Sequence, residues 1–207
     1  MHHQISQALA GSLIDDQRRV ASRNEVRDRR SPRRVPIWVA AAIAVGLILT
    51  GVASAFAGSG DLVAAKAAAA RFNSPGQAAD AGYGPLPAGV PLHECIAAFD
   101  GSGAMGFHWL NPGLLDTTLD PTAPEVLVYG PDGHGNLKLV ALEYVVFAEP
   151  WAAEHGSLAP SLFGRSLTFV GEPNRYEVPA FWQVHAWVFE SNPVGTFADF
   201  NPDVSCS

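Results

Sequence analysis

Positive charge is scarce along most of this chain, and the scarcity divides it. From Pro36 onward the only cations are Lys66, Arg71, Lys138, Arg165 and Arg175, set against sixteen Asp and Glu residues. A nucleic-acid interface needs a basic footprint to meet phosphates, so this region is a poor candidate for one. Cysteine is scarcer still, with only Cys95 and Cys206. While the two can oxidise to each other, neither suits the role of nucleophile. Catalytic signatures are missing as well. "HEC" at 93–95 lacks the second histidine of H-E-x-x-H, no G-x-S-x-G elbow occurs, and there is no repeat of solenoid type.

The first 35 residues reverse the charge balance, with eight arginines against four acids. No sustained apolar period runs through them, so a disordered cytoplasmic arm is expected over 1–35, with at most a short helix near Ile5 to Val20. Ile37 to Ala57 then supplies twenty-one uncharged residues. A helix needs roughly 20 residues to cross a hydrocarbon core of about 30 Å. Residues 36–57 therefore read as a transmembrane anchor or a signal segment. The arginines on its N-terminal side place that end in the cytoplasm and the rest of the chain outside. Small residues at Ala53-Ser54-Ala55 and Ala55-Phe56-Ala57 would allow cleavage near Ala55 or Ala57 and release of a secreted domain. Arg33-Arg34 leaves twin-arginine as well as Sec export open.

Outside the cytoplasm, a Cys95–Cys206 disulfide is the expected state, against the alternative of two buried thiols. Residues 58–92 read as an alanine-rich helix over 61–72 followed by a Pro/Gly-rich linker. Residues 93–207 form the exported domain. There "EVLVYG" (125–130) and "LKLVALEYVVF" (137–147) flank "PDGHGN", a hairpin turn. "SLFGRSLTFV" (161–170), "YEVPAFWQVHAWVFE" (176–190), "LHECIAAF" (92–99) and "GFHWL" (106–110) read as further strands. The fold class expected is α+β, mainly β, with a mostly antiparallel sheet of five or six strands.

"GSGAMG" at 101–106 matches the dinucleotide-loop pattern, but it runs into an aromatic strand rather than a helix. "PDGHGN" has one carboxylate, Asp132, where a calcium loop alternates several; His134 is a turn residue. Asn111-Pro112, Asn192-Pro193 and Asn201-Pro202 each close an apolar stretch and read as turns.

His108, Glu143 and His185 are the residues that remain. Each sits in mid-strand, and period-two alternation gives it apolar or aromatic neighbours on its own face. His108 shares a face with Gly106 and Leu110; Glu143 with Leu139, Ala141, Val145 and Phe147; His185 with Phe181, Gln183 and Trp187. A buried carboxylate requires a partner. Two imidazoles and a carboxylate suit a divalent metal such as zinc or copper, with one position open. The alternative is a buried His-Glu pair that only organises the core. His93 and His155 are weaker candidates, and Tyr144, Trp109 and Trp187 read as core.

The segments Gly106 to Pro112, Glu143 to Val146, Pro160 to Gly164 and His185 to Cys206 resemble those of a group of uncharacterised exported bacterial proteins of actinobacterial type. That group carries G-[FI]-H-[WY]-x-N-P, EYVV, P-[ST]-LFG and H-V-W…NP…NP-x-VSC segments. Here Ala186 stands between His185 and Trp187. The resemblance covers roughly residues 65–207 and implies export and a shared domain, without an activity. Three functions follow as expectations: a binding module for a small molecule or an envelope partner, a metal-assisted hydrolase or oxidase, or a structural envelope protein. The topology has a direct check. A reporter fused after Gly58 should be active outside the cytoplasm only, and cytoplasmic activity would reverse the assignment.

Overall fold

A computed structural model of the chain describes residues 58–86 and 94–206. The arginine-rich arm with its helix near Ile5 to Val20, the apolar segment 37–57 with its cleavage sites, and His93 lie outside the described residues. Among the described residues no helix is long and apolar enough to cross a membrane.

Residues 58–69 are α-helical and pass into a 3-10 turn, Ala70–Asn73. The alanine run favours helix, and Leu62, Ala65, Ala69 and Phe72 recur at steps of three and four, so one stripe faces the sheet. Ser74 then precedes a short helix, Pro75–Asp80, which starts on a proline whose missing N–H costs nothing at that position.

The main sheet is antiparallel and among the described residues has seven strands: β1 (Gly84–Pro85), β2 (Ile96–Ala97), β3 (Ala104–Leu110), β4 (Val126–Pro131), β5 (Leu137–Phe147), β8 (Thr168–Val170) and β9 (Phe181–Ala186). Its order is β1-β3-β4-β5-β9-β8, with β2 also pairing with β3. The class agrees with the α+β, mainly β expectation, but the count exceeds five or six. The excess lies in two-residue edges, and β1 falls in the stretch read as linker.

The run 161–170 is not one strand. It folds as a hairpin, β6 (Ser161–Leu162) and β7 (Arg165–Ser166), before β8 begins. Its two-residue turn holds Phe163 and Gly164 at φ 55° and 72°, both left-handed, as a tight hairpin twist demands. The runs at 92–99 and 176–190 also shorten, to Ile96–Ala97 and Phe181–Ala186. After β5 a helix, Ala148–His155, starts the long excursion that returns at β9.

Both faces of the sheet are covered. Leu127, Tyr129, Leu142, Tyr144, Val184 and Ala186 meet the N-terminal helices and the β6–β7 hairpin. Val126, Val128, Ala141, Trp187 and the C-terminal Val204 form the second, smaller cluster on the other side. A bulge pairs Val128 with Ala141 but Tyr129 with Leu139. It shifts the alternation of β5, and Leu139 joins the large cluster rather than the face of Glu143.

Cys95 and Cys206 are bonded, with Cα atoms 5.5 Å apart and a separation of 111 positions in the chain. Loop closure on that scale contributes on the order of 4 to 5 kcal/mol in the chain-entropy model. The Cys95→Ser/Cys206→Ser pair should lose roughly 3 to 5 kcal/mol in urea unfolding. A loss under about 1 kcal/mol would show that the crosslink contributes little to folding.

Candidate metal centre

Three central strands bring the candidate residues to one face. Glu143 on β5 stands directly opposite His185 on β9. On its other side Glu143 is opposite Val126, which in turn faces Leu110 on β3. His108 lies two residues before Leu110, on the same face by the period of the strand. Beside it Gly106 takes φ 114°, and a Cβ there would come within 2.4 Å of the Tyr129 carbonyl oxygen. Only glycine lets β3 press against β4 at this point.

The side chains converge. His108 Nε2 lies 3.5 Å from Glu143 Oε2, and His185 Nε2 lies 3.9 Å from Glu143 Oε1. The imidazole rings meet edge to face, 5.8 Å between centroids. One donor atom from each of the three residues falls within 4.8 Å of the others. Two ligands held about 2.0 to 2.1 Å from a tetrahedral ion are roughly 3.3 to 3.4 Å apart, so small side-chain adjustments would close the set around one.

Gln183 and Asp199 orient His185 from behind. Gln183 Nε2 donates to Asp199 Oδ1 at 3.0 Å, which turns Gln183 Oε1 toward His185 Nδ1, also at 3.0 Å. Asp199 Oδ1 itself is 3.7 Å from His185 Nδ1. The proton of the neutral ring therefore sits on Nδ1, and Nε2 is the nitrogen turned toward Glu143. Outer partners do this for metal-binding histidines generally. Among the described residues neither His185 Nε2 nor His108 Nδ1 has a hydrogen-bond partner, although both are buried.

The electrostatics separate the two histidines. Burial, followed by repulsion from His185, drives His108 down to about 3, against a smaller opposing contribution from the Gly106 backbone. His185 is also opposed by burial, yet Glu143 and Asp199 outweigh this and raise it. Burial raises Glu143, partly offset by His185. The nearby His185 ring holds Asp199 below the usual carboxylate range, against its own burial and with help from the Gln183 hydrogen bond. Without an ion, His108 favours its neutral form, while Glu143 and Asp199 favour a second proton on His185, on the nitrogen that faces Glu143. A divalent cation would displace that proton.

A pocket of about 130 Å³ opens onto His108 and Glu143 but not onto His185. Its walls are apolar, from Leu110, Val126 and Val145 on the sheet to Tyr176 and Val178 on the loop before β9. Arg175 anchors that loop by stacking on Phe99, 3.9 Å from the ring centre, and by donating to the Ala97 carbonyl.

Other candidates stay apart. His134 lies in the hairpin turn, where Asp132 accepts from the backbone N–H groups of His134 and Asn136. His155 packs on Trp151 at the end of its helix. Tyr144 and Trp187 are buried, and Trp109 is partly buried against the large cluster.

Sequence reasoning missed Asp199, Tyr176 and Glu125. Only 1% exposed, Glu125 precedes β4 and accepts from the Val145 N–H at 3.0 Å, replacing the strand that β5 lacks there. Burial pushes it up to about 8, against the backbone hydrogen bonds that favour its charged form. The folded state thus holds a proton that the unfolded chain releases near 4.5, and stability falls with rising pH up to about 8. His108 gives the opposite slope, but only below the unfolded value of 6.5. Between pH 6.5 and 8, Glu125→Gln should flatten the decline in unfolding free energy by up to about 1.4 kcal/mol per pH unit. Equal slopes in the two proteins would show that Glu125 ionises freely.

Comparison with protein-family models, with curated proteins and with solved structures finds no match to the chain.

Proposed function

We propose that the chain is a metal-binding module outside the cytoplasmic membrane, holding one borderline divalent ion such as zinc or copper through His108, Glu143 and His185. One observation carries the reading: among the described residues the buried His185 Nε2 has no hydrogen-bond partner and points at a carboxylate, while Gln183 occupies the other ring nitrogen. A pair that served the core alone would bring these atoms within hydrogen-bond distance instead of leaving 3.9 Å. The disulfide supports an oxidising location. The apolar run 37–57 would tether the domain to the membrane or be removed on secretion.

A second reading, a metal-assisted hydrolase or oxidase, is favoured by the pocket. Three protein ligands with a fourth side facing a cavity is the arrangement of catalytic rather than structural zinc. The two readings share their ligands and differ in whether a bound molecule is transformed.

Protein purified by its own export route should contain about one equivalent of metal by elemental analysis. His185→Ala should abolish it. Glu143→Gln, which keeps size and an acceptor but removes the charge, should weaken binding by about 10-fold or more, on the scale set by ligand and outer-partner mutations. A wild-type protein that takes up neither zinc nor copper would leave the three residues a core network.

A further inference from the structure

The pocket over the candidate centre has an unusual division of labour. Its floor is polar only at His108 and Glu143, and the remaining lining is hydrocarbon or aromatic apart from the Tyr176 hydroxyl. That hydroxyl turns to the Met105 sulfur, 3.8 Å away. Among the described residues no cation lines the cavity. A sugar, a peptide backbone or a phosphate would therefore lose its hydrogen bonds to water on entering and gain few in return. A hydrocarbon body would gain. At about 130 Å³ the space is close to that of the engineered cavity of about 150 Å³ that takes up benzene.

Charge fixes the head of the ligand. A divalent ion with one carboxylate and two neutral imidazoles leaves a net single positive charge, facing an apolar enclosure. Asp199 does not cancel it, because its side chain is 42% exposed and engaged with His185 and Gln183 on the far side. An uncompensated charge in such surroundings is costly. A monoanionic donor would neutralise it; hydroxide would do so too, but would leave the walls unfilled.

Building on the metal reading, we propose that the pocket above His108 and Glu143 receives a small apolar molecule of about benzene size with a single anionic oxygen, which completes the coordination of the ion. The walls select the body and the ion selects the head. Val178, on the loop that Arg175 fastens to Ala97, lines the space for the body and is not one of the three ligands.

Cobalt(II) loaded into the full-length chain gives a visible spectrum that responds to a new ligand, and benzoate and acetate share a head while differing in body. Benzoate should perturb the spectrum at a concentration at least about tenfold lower than acetate, since only benzoate buries a ring. Val178→Trp, which fills the cavity, should weaken benzoate by about tenfold or more and leave cobalt uptake and the acetate response unchanged. Val145→Phe, filling it from the sheet side, provides the same test if the first variant does not fold. Equal affinities for the two carboxylates, or an undiminished benzoate response in the filled variant, would overturn the proposal while leaving the metal centre standing. Absence of cobalt, zinc and copper uptake alike by the wild type would overturn both.

Discussion

A carboxylate buried opposite an imidazole, at one rung of the β5–β9 ladder, sets the terms for everything around it. Glu143 is 7% exposed and His185 1%, and neither could be left there alone without a large desolvation cost. Their mutual attraction offsets part of that cost, and Gln183 and Asp199 add hydrogen bonds behind the ring. His108 has no such support and stays neutral. The result is an uneven trio, with one histidine held from behind and the other set at the edge of a cavity.

Strand phase was sufficient to find the trio. His108, Glu143 and His185 lie in runs whose alternation is long enough to fix which side chains share a face, and pairing of β3, β4, β5 and β9 brought those faces together. The same reasoning failed for Leu139, because a bulge adds one residue to β5 and local alternation cannot reveal it. The β6–β7 hairpin was missed because its turn places a phenylalanine at positive φ, where asparagine or glycine would have signalled the bend. Two-residue edges such as β1 and β2 hold too few residues to show a period. Asp199 and Glu125 stand outside regular elements, and only tertiary packing gives them partners.

The Asn-Pro pairs proved richer than turns. Asn111, Asn192 and Asn201 each accept from the backbone N–H two residues ahead through the side-chain oxygen. Each also donates from its amide nitrogen to a distant carbonyl, those of Ala81, Phe200 and Ser191 respectively. Asn192 and Asn201 thereby clasp each other's neighbours across the segment that carries Asp199. Proline after each asparagine removes a backbone donor and fixes φ, which suits a turn that must not extend the strand. The punctuation visible in the sequence is also the mounting of the residue behind His185.

The crosslink between Cys95 and Cys206 encloses more than a length of chain. His108, Glu143 and His185 all fall inside the covalent ring it closes, as do Gln183 and Asp199. Chain ends are ordinarily the first parts of a domain to fray. Here fraying from the C-terminus stops at Cys206 and fraying from the N-terminal side stops at Cys95, so neither peels away a strand that bears a donor atom. An ion seated among the three could leave by separation of β3, β4, β5 and β9 from one another or through the pocket mouth. Its residence time would then follow two gates of very different height, the opening of the whole sheet and the exchange of whatever fills the cavity.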